Sequence, residues 1–437
     1  MSLVKKSGVV LLLTLLVILF NYFVYLGNQP FNIDASFISN KAAFSFELGA
    51  EEWHSPGVWI PKRISEEQVP AKYRLLGRAL TIGTFFVFQD IGFNDLDAFY
   101  FSYMLWVTIS LFLFLFTAGE LLTLIMTRHN TQLIPQRQRL FYVSVFVAAL
   151  LPPVLFAFKF PVHGSPNDFL SYTLIALSLI ALAKEKYQYF VLIMIVSIFC
   201  RETNLISLAP LMLMQNISLL KRVSISFIVV MAYAAYRLMW PGHYDPLEGS
   251  AHNYIYPMES LLFLFLVFGP VWLLGILGYL SARKSTAPDD FFIQALNKSF
   301  LPVMLCVILV VWLFARVREI RIEYILFFYL IPYALLYCIN QIPNWKQTVL
   351  KPISVILILT ATMIFSFAIL VQFMPENAAH HLALESNFAH FYAGFGGGWI
   401  PIFIVYFSIT VIFLFFSITH YVMRKYQKLN AVQSAEA

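Results

Sequence analysis

Long uncharged apolar runs recur from one end of this chain to the other, and they set the terms on which it can fold. Val9–Phe20, Val303–Phe314, Ile353–Phe373 and Ile400–Ser417 contain no Asp, Glu, Lys or Arg. Each approaches or reaches the roughly 20 residues that cross about 30 Å of hydrocarbon in an α-helix. Hydrophobic residues make up 60% of the chain and charged residues only 12%, against about 25% charged in an ordinary soluble domain. One large core does not absorb that deficit, because the runs are spread over the whole length. They show no alternation of apolar and polar residues, which excludes a closed barrel. The pattern predicts an all-α, polytopic integral membrane protein of about twelve transmembrane helices, within a range of roughly ten to thirteen.

The spans are expected near 8–26, 98–126, 140–160, 169–183, 188–200, 203–219, 223–240, 259–281, 299–316, 324–340, 353–373 and 398–422. As one helix, 299–340 would be about 63 Å long, twice the membrane thickness, so it must break, and the charged run Arg316–Glu323 is the natural place. The same argument breaks 188–220 near Arg201–Asn204, either between two spans or at the tip of a re-entrant hairpin. Residues 27–97 form a large first loop whose second half, Glu66–Phe93, has the mixed basic and apolar composition of an interfacial helix. The whole of 1–437 reads as one transmembrane domain with a disordered tail at 430–437. The first apolar run is too long for a signal peptide and lacks a small-x-small cleavage site, so it is expected to be retained.

Charge sets the orientation. Lys5, Lys6, Arg128, Arg137, Arg139, Lys184, Lys186, Lys221 and Arg222 all fall on one side of this span layout, in short segments, as cytoplasmic positive charge requires. Most acids and most histidines fall on the other side. Both termini are therefore expected in the cytoplasm of a cell (inner) membrane protein, with the working surface facing outward. This distribution accounts for the +6 net charge without nucleic acid as a partner. Cys200, Cys306 and Cys338 lie in or beside apolar helices and read as buried thiols. The histidines show no ligand spacing, and no metal site is expected from them.

Several charged groups at these loop edges could carry chemistry. Arg74 and Arg78, with Tyr73 beside them, are four residues apart and share a helical face, a placement that suits the oxygens of a phosphate or pyrophosphate. Asp34, just after the first span, reads either as a helix-end residue or as a general base facing a lipid-borne substrate. Asp168 reads by default as a first-turn acid complementing a helix dipole. Arg201, beside Glu202, is harder to dismiss. An arginine near mid-membrane costs roughly 2.5–3.5 kcal/mol on insertion scales and needs a partner. Pairing with Glu202 or Asp168 would be structural; pairing with a lipid phosphate would be functional. Arg318, Glu319 and Arg321 admit either an ion-pair lock between helices or an anionic ligand.

With these patterns in place, Tyr73-Arg74-x-x-x-Arg78, the Arg201-Glu202-Thr203 break and Arg316-x-Arg318-Glu319-x-Arg321, the layout resembles the GT-C superfamily of membrane glycosyltransferases. The resemblance covers most of the chain as topology. It implies a polyprenyl-phosphate-linked sugar as donor, membrane lipids as surroundings, and work on the non-cytoplasmic face in cell-envelope polysaccharide synthesis. It implies a catalytic acid in the first outer loop, which maps to Asp34, although Ala35 follows where many members carry a second acid. Arginines such as Arg201 would hold the donor phosphate. Some members use a divalent cation and others do not, and the sequence leaves the cofactor open. A transporter or flippase for a lipid-linked glycan, a polysaccharide polymerase, and a non-catalytic membrane protein are the alternatives.

Overall fold

The computed structural model of the protein describes residues 3–26, 75–151, 154, 165–239, 250, 253–254, 257–284, 290–314, 324–345, 364 and 405–414. These residues are helical, with no strand among them. Helix α1 runs over Leu3–Leu26, α2 over Leu75–Asp90, α3 over Asp95–His129 and α4 over Arg137–Leu150. Next come α5, Ser165–Ala183, α6, Tyr187–Ile198, the short α7, Leu208–Leu213, and α8, Leu219–Met239. After these come α9, Pro257–Phe268, α10, Pro270–Lys284, α11, Phe291–Phe314, α12, Phe327–Trp345, and a short apolar helix, Val405–Leu414. Among the described residues, three stretches are long and apolar enough to cross a membrane: Phe101–His129, Leu219–Leu238 and Phe291–Phe314. Expected spans at 353–373 and 398–422, the loop 27–74 and the tail 430–437 lie wholly or largely outside the described residues.

The 35-residue α3 is the central post, against which α1, α2, α4 and α5 pack. Asn94 caps it, its side-chain oxygen accepting from the Asp97 amide at 2.9 Å, which satisfies a donor the first turn would leave unpaired. Phe114, fully buried halfway along α3, lies within 6.0 Å of Phe169 and 5.5 Å of Tyr172, ring to ring, and 6.0 Å of Tyr324. This aromatic knot joins α3, α5 and the start of α12 in edge-on and stacked contacts of the favourable kind.

One end of the bundle is held by charge. Lys6 donates to Glu120, and Arg137 approaches the other oxygen of the same carboxylate at 3.8 Å, tying α1 and α4 to α3. Arg128 donates to Asp290 at 3.0 Å, while the second oxygen of Asp290 caps α11 by accepting from the amides of Phe292 and Ile293 at 2.9 and 3.1 Å. Three of the basic residues that the charge pattern assigned to one side, Lys6, Arg128 and Arg137, take part in these ties. Outward surfaces are apolar: Leu12, Leu15 and Leu16 on α1, Leu220, Phe227 and Leu238 on α8, and Leu305 and Leu309 on α11 are all exposed.

Three elements differ from expectation. The span 259–281 is interrupted at Gly269, whose φ of +51° is the left-handed conformation that glycine adopts freely. Pro270 then starts a new helix, a position where its missing amide costs nothing. The limb expected at 203–219 is only a 3-10 turn, Glu202–Ser207, followed by α7. And α11 begins eight residues before the expected 299, so Asn297 and Lys298 are helical rather than in a loop, Asn297 accepting from the Tyr333 hydroxyl.

Helix α10 lies flush against α12 because it presents glycines to it. A Cβ at Gly278 would sit 2.0 Å from the Tyr333 carbonyl oxygen, and one at Gly275 would sit 3.0 Å from that of Leu330. Small residues that let backbones approach are a main source of helix association where lipid supplies no hydrophobic drive. Gly278→Leu is therefore expected to lower the melting temperature of the purified protein by several degrees, on the order of 2 kcal/mol or more, whereas Gly8→Leu, which meets nothing within 4 Å, should leave the melt unchanged.

Candidate anion site at a helix break

The α5–α6 connection is a tight turn in which Glu185 and Lys186 donate backbone hydrogen bonds to Leu182 and Ala181, both at 2.9 Å. This is a Schellman-type helix end with Glu185 at φ +57°, a place glycine usually takes. Helix α6, 12 residues long, then rises only about 18 Å before it stops. Phe199 and Cys200 tighten the last turn by bonding Val196 and Ser197 at 3.2 and 3.0 Å. Arg201 follows in extended conformation, φ −160° and ψ 139°. The chain then descends through the 3-10 turn and α7, and Asn216 ends beside the starting turn, donating to Glu185 at 2.8 Å. The result is a hairpin with Arg201 at its tip, one of the two forms the spacing allowed.

Two helix starts meet that tip. The Leu76 amide of α2 donates to the Phe199 carbonyl at 3.0 Å, and the Gly77 amide donates to the Asn167 side chain on α5 at 2.8 Å. Both donors belong to a first helical turn, which has no internal acceptors. Gly77 is required by closeness, since a Cβ there would fall 2.5 Å from the Asn167 side-chain oxygen. Asn204 completes the clamp, accepting from the Ser171 hydroxyl and donating to the Ser197 carbonyl at 3.4 Å.

The site lies deep along the bundle. Trp106 of α3 donates to Thr84 of α2 at 3.1 Å, and the rings of Phe88 and Phe101 are 6.2 Å apart, so the two helices run antiparallel. Seven residues from that pair in each helix, about 10 Å, Gly77 comes level with Leu113, near the middle of α3. The helix expected on the membrane interface is present, but it packs along α3 and α5 with Phe85 and Thr81 buried.

Arg201 is 2% exposed, and its Nη2 lies 2.9 Å from Asp168 Oδ1 in the first turn of α5. Of the two structural partners the sequence offered, Asp168 is the one in contact. The guanidinium is not exhausted by that contact: its nitrogens make no hydrogen bond that satisfies donor geometry, and Nε and Nη1 have no partner at all. Thr203 nearby also has a buried hydroxyl without a partner. A buried polar group left in this condition ordinarily costs about 1–3 kcal/mol, so unspent donors here mark a place for an acceptor. An acceptor reaching the guanidinium would meet a bidentate cation, a carboxylate beside it, and the positive ends of two helices.

Among the residues singled out from sequence, Asp168, Arg201 and Glu202 come together, with Glu202 half-buried, and the backbone of Arg78 is next to Gly77 at the same junction. Asp34, Tyr73, Arg74, Arg318, Glu319 and Arg321 lie outside the described residues. The described chain resumes at Leu75, directly after Arg74, and at Tyr324, directly after Glu323. Tyr324 packs 5.0 Å from Tyr172, one turn along α5 from Asp168. Sequence reasoning gave no role to the side chains of Asn167, Ser171 and Asn204 or to Gly77. A glycine within a helical pattern was a signal for close approach; the polar three carry no local signal. Arg237 was also missed: it lies over Tyr233 at 5.8 Å, beside Tyr236, which packs 4.9 Å from Phe199. Among the described residues no three His, Cys, Asp or Glu side chains form a metal-ligating group.

Comparison of the chain with protein-family models, curated proteins and solved structures finds no match in any of the three.

The buried pair has an asymmetric stability signature. Asp168→Ala leaves an uncompensated buried cation that cannot be neutralised, and should cost about 3–5 kcal/mol. Arg201→Met leaves an acid at a helix start, where the dipole supports it. Thermal melts should rank Asp168→Ala well below Arg201→Met, with the double variant recovering part of the loss.

Proposed function

We propose that this chain is a polytopic membrane glycosyltransferase of GT-C type. In this reading it has about twelve spans, sits in a cell membrane with both termini cytoplasmic, and moves a sugar from a polyprenyl-phosphate donor to an acceptor on the non-cytoplasmic face. The observation that carries the reading is Arg201: a buried guanidinium with unspent donors, where a lipid phosphate supplies the missing acceptors.

In this mechanism Asp34 takes the proton from the acceptor hydroxyl. The acceptor oxygen forms a bond to the anomeric carbon as the bond from that carbon to the lipid phosphate oxygen breaks. The phosphate leaves with the electron pair, and Arg201, with arginines among Arg74, Arg78, Arg318 and Arg321, stabilises the charge that develops on it. A transporter of lipid-linked anions is the second reading. It is favoured by one observation, the interrupted helix deep in the bundle, the form in which transporters build binding sites.

The test uses membranes containing the full chain. Asp34→Asn is expected to abolish sugar transfer while keeping co-purified polyprenyl phosphate, detected by mass spectrometry; Arg201→Ala is expected to lose the lipid. Full transfer by Asp34→Asn removes Asp34 from the mechanism. Retained lipid in Arg201→Ala removes the phosphate role, and vectorial movement of the lipid without transfer moves the protein to the second class.

A further inference from the structure

The end of the hairpin opposite Arg201 collects cations that the bundle does not pair. Helix α6 starts there at Tyr187 and α8 at Leu219, and the two pack together. The Lys221 ammonium lies 4.6 Å from the centre of the Tyr187 ring at this end, and Tyr236 meets Phe199 at the other, so the helices run parallel. Lys184, Lys186, Lys221 and Arg222 share the two turns here with one acid, Glu185. Asn216 donates to that carboxylate at 2.8 Å. Among the described residues none of the four cations has a carboxylate within ion-pair distance. Arg222 turns inward and donates to the Met212 carbonyl at 2.6 Å. With Arg222 set aside, three lysines still stand against one carboxylate. Lys221 is in the first turn of α8, which contains no acid; a cation there opposes the helix dipole, so helix stability does not account for it.

Two of these lysines are seated rather than loose. Lys221 lies over Tyr187, and the Lys186 ammonium is 5.6 Å from the centre of the Tyr189 ring, contacts that hold a cation by the face of the ring. Tyr187 and Tyr189 project about 100° to either side of Gln188 on α6, so the lysines bracket the exposed Gln188 edge. From that edge an apolar seam follows. Gln188, Leu192 and Phe199 lie on one flank of α6, and Lys221, Ser224 and Ile228 on one flank of α8. All six are exposed, and the α8 flank borders α6 because Lys221 touches Tyr187. Helix α8 is long and apolar enough to cross a membrane, which puts its first turn at head-group level. Charge that only sets orientation needs neither the ring seats nor the seam.

We propose that the α6–α8 seam binds an anionic phospholipid, its head group on the Gln188 edge between Lys186 and Lys221 and an acyl chain between Leu192 and Ile228. The excess of lysine over carboxylate selects such a lipid over a zwitterionic one, whose cationic group the ammoniums repel. The seam's charged end lies about 18 Å from Arg201, the length of α6, and the inference is independent of the glycosyl-transfer reading.

The test titrates the purified full chain in detergent with phosphatidylglycerol or phosphatidylcholine and counts bound lipid by native mass spectrometry. The wild type should bind phosphatidylglycerol more tightly, on the order of tenfold. Lys186→Gln with Lys221→Gln should bring the ratio near unity. Lys5→Gln with Arg139→Gln, which removes as much charge from exposed sites on α1 and α4, should keep it. Should the first double variant fail to fold, its single changes decide, each lowering the ratio about threefold. Equal binding of the two lipids by the wild type, or no binding, overturns the proposal. So does a preference that survives in the folded Lys186 and Lys221 variants, or one lost equally in the Lys5 and Arg139 control. A preference that falls only in Arg201→Ala puts the lipid at the helix break, which overturns this inference and leaves the Arg201 phosphate site standing.

Discussion

A guanidinium cannot be buried in an apolar bundle unless the backbone around it supplies polar company, and that requirement organises the middle of this molecule. An uninterrupted helix keeps its amides and carbonyls to itself. A helix end releases them. Around Arg201 the chain provides three ends: the last turn of α6 and the first turns of α2 and α5. Their orphan groups satisfy one another through the Leu76–Phe199 and Gly77–Asn167 bonds. Asn204 spans the gap between α5 and the tip. What this polar knot does not satisfy is the guanidinium itself, beyond one oxygen of Asp168. The shortness of α6 and the dissolution of the next limb into a 3-10 turn follow from the same need.

The rest of the bundle shows how helices are held when their outward faces are as apolar as their inward ones. Leu238 is 80% exposed and Leu220 78%, values that would be a liability in water and are ordinary against acyl chains. In such surroundings hydrophobic burial distinguishes poorly between helix–helix and helix–lipid contact, so close packing and polar ties decide which neighbours meet. The ties are sparse and placed at element ends: Lys6 and Arg137 on Glu120, Arg128 on Asp290. Between them the close contacts are made where glycine removes the side chain, as at Gly119 against Val145 and Phe141 and at Gly278 against the Tyr333 backbone.

Hydropathy made the helical class legible, and it located α3, α8 and α11, because each must bury or offer to lipid a long apolar surface regardless of its neighbours. The break at Arg201 was legible too, since length and a stranded charge both demanded it. Interruptions set by backbone conformation were less so. Gly269–Pro270 ends one helix and begins another, a signal visible in the residues but silent in an average over apolar composition. The placement of α2 was not legible at all. A stripe of Leu, Phe and basic residues is the same whether the helix rests on an interface or lies against α3; only the pairing of Thr84 with Trp106 separates the cases, and pairing between distant segments leaves no trace in local periodicity.

The same limit explains which site residues sequence reasoning found. It found charges, because a charge in an apolar chain announces its cost. It missed Asn167 and Asn204, whose value lies in a partner many residues away. Yet these neutral residues decide what the charges can do. Without the Asn167 bond the start of α2 would be tied to this junction by the Leu76–Phe199 bond alone. Docking that helix start against the pair adds about half a unit of positive charge beside it. The build of the junction thus depends on how a glycine amide meets an asparagine side chain, a contact on which the number of arginines in the sequence has no bearing.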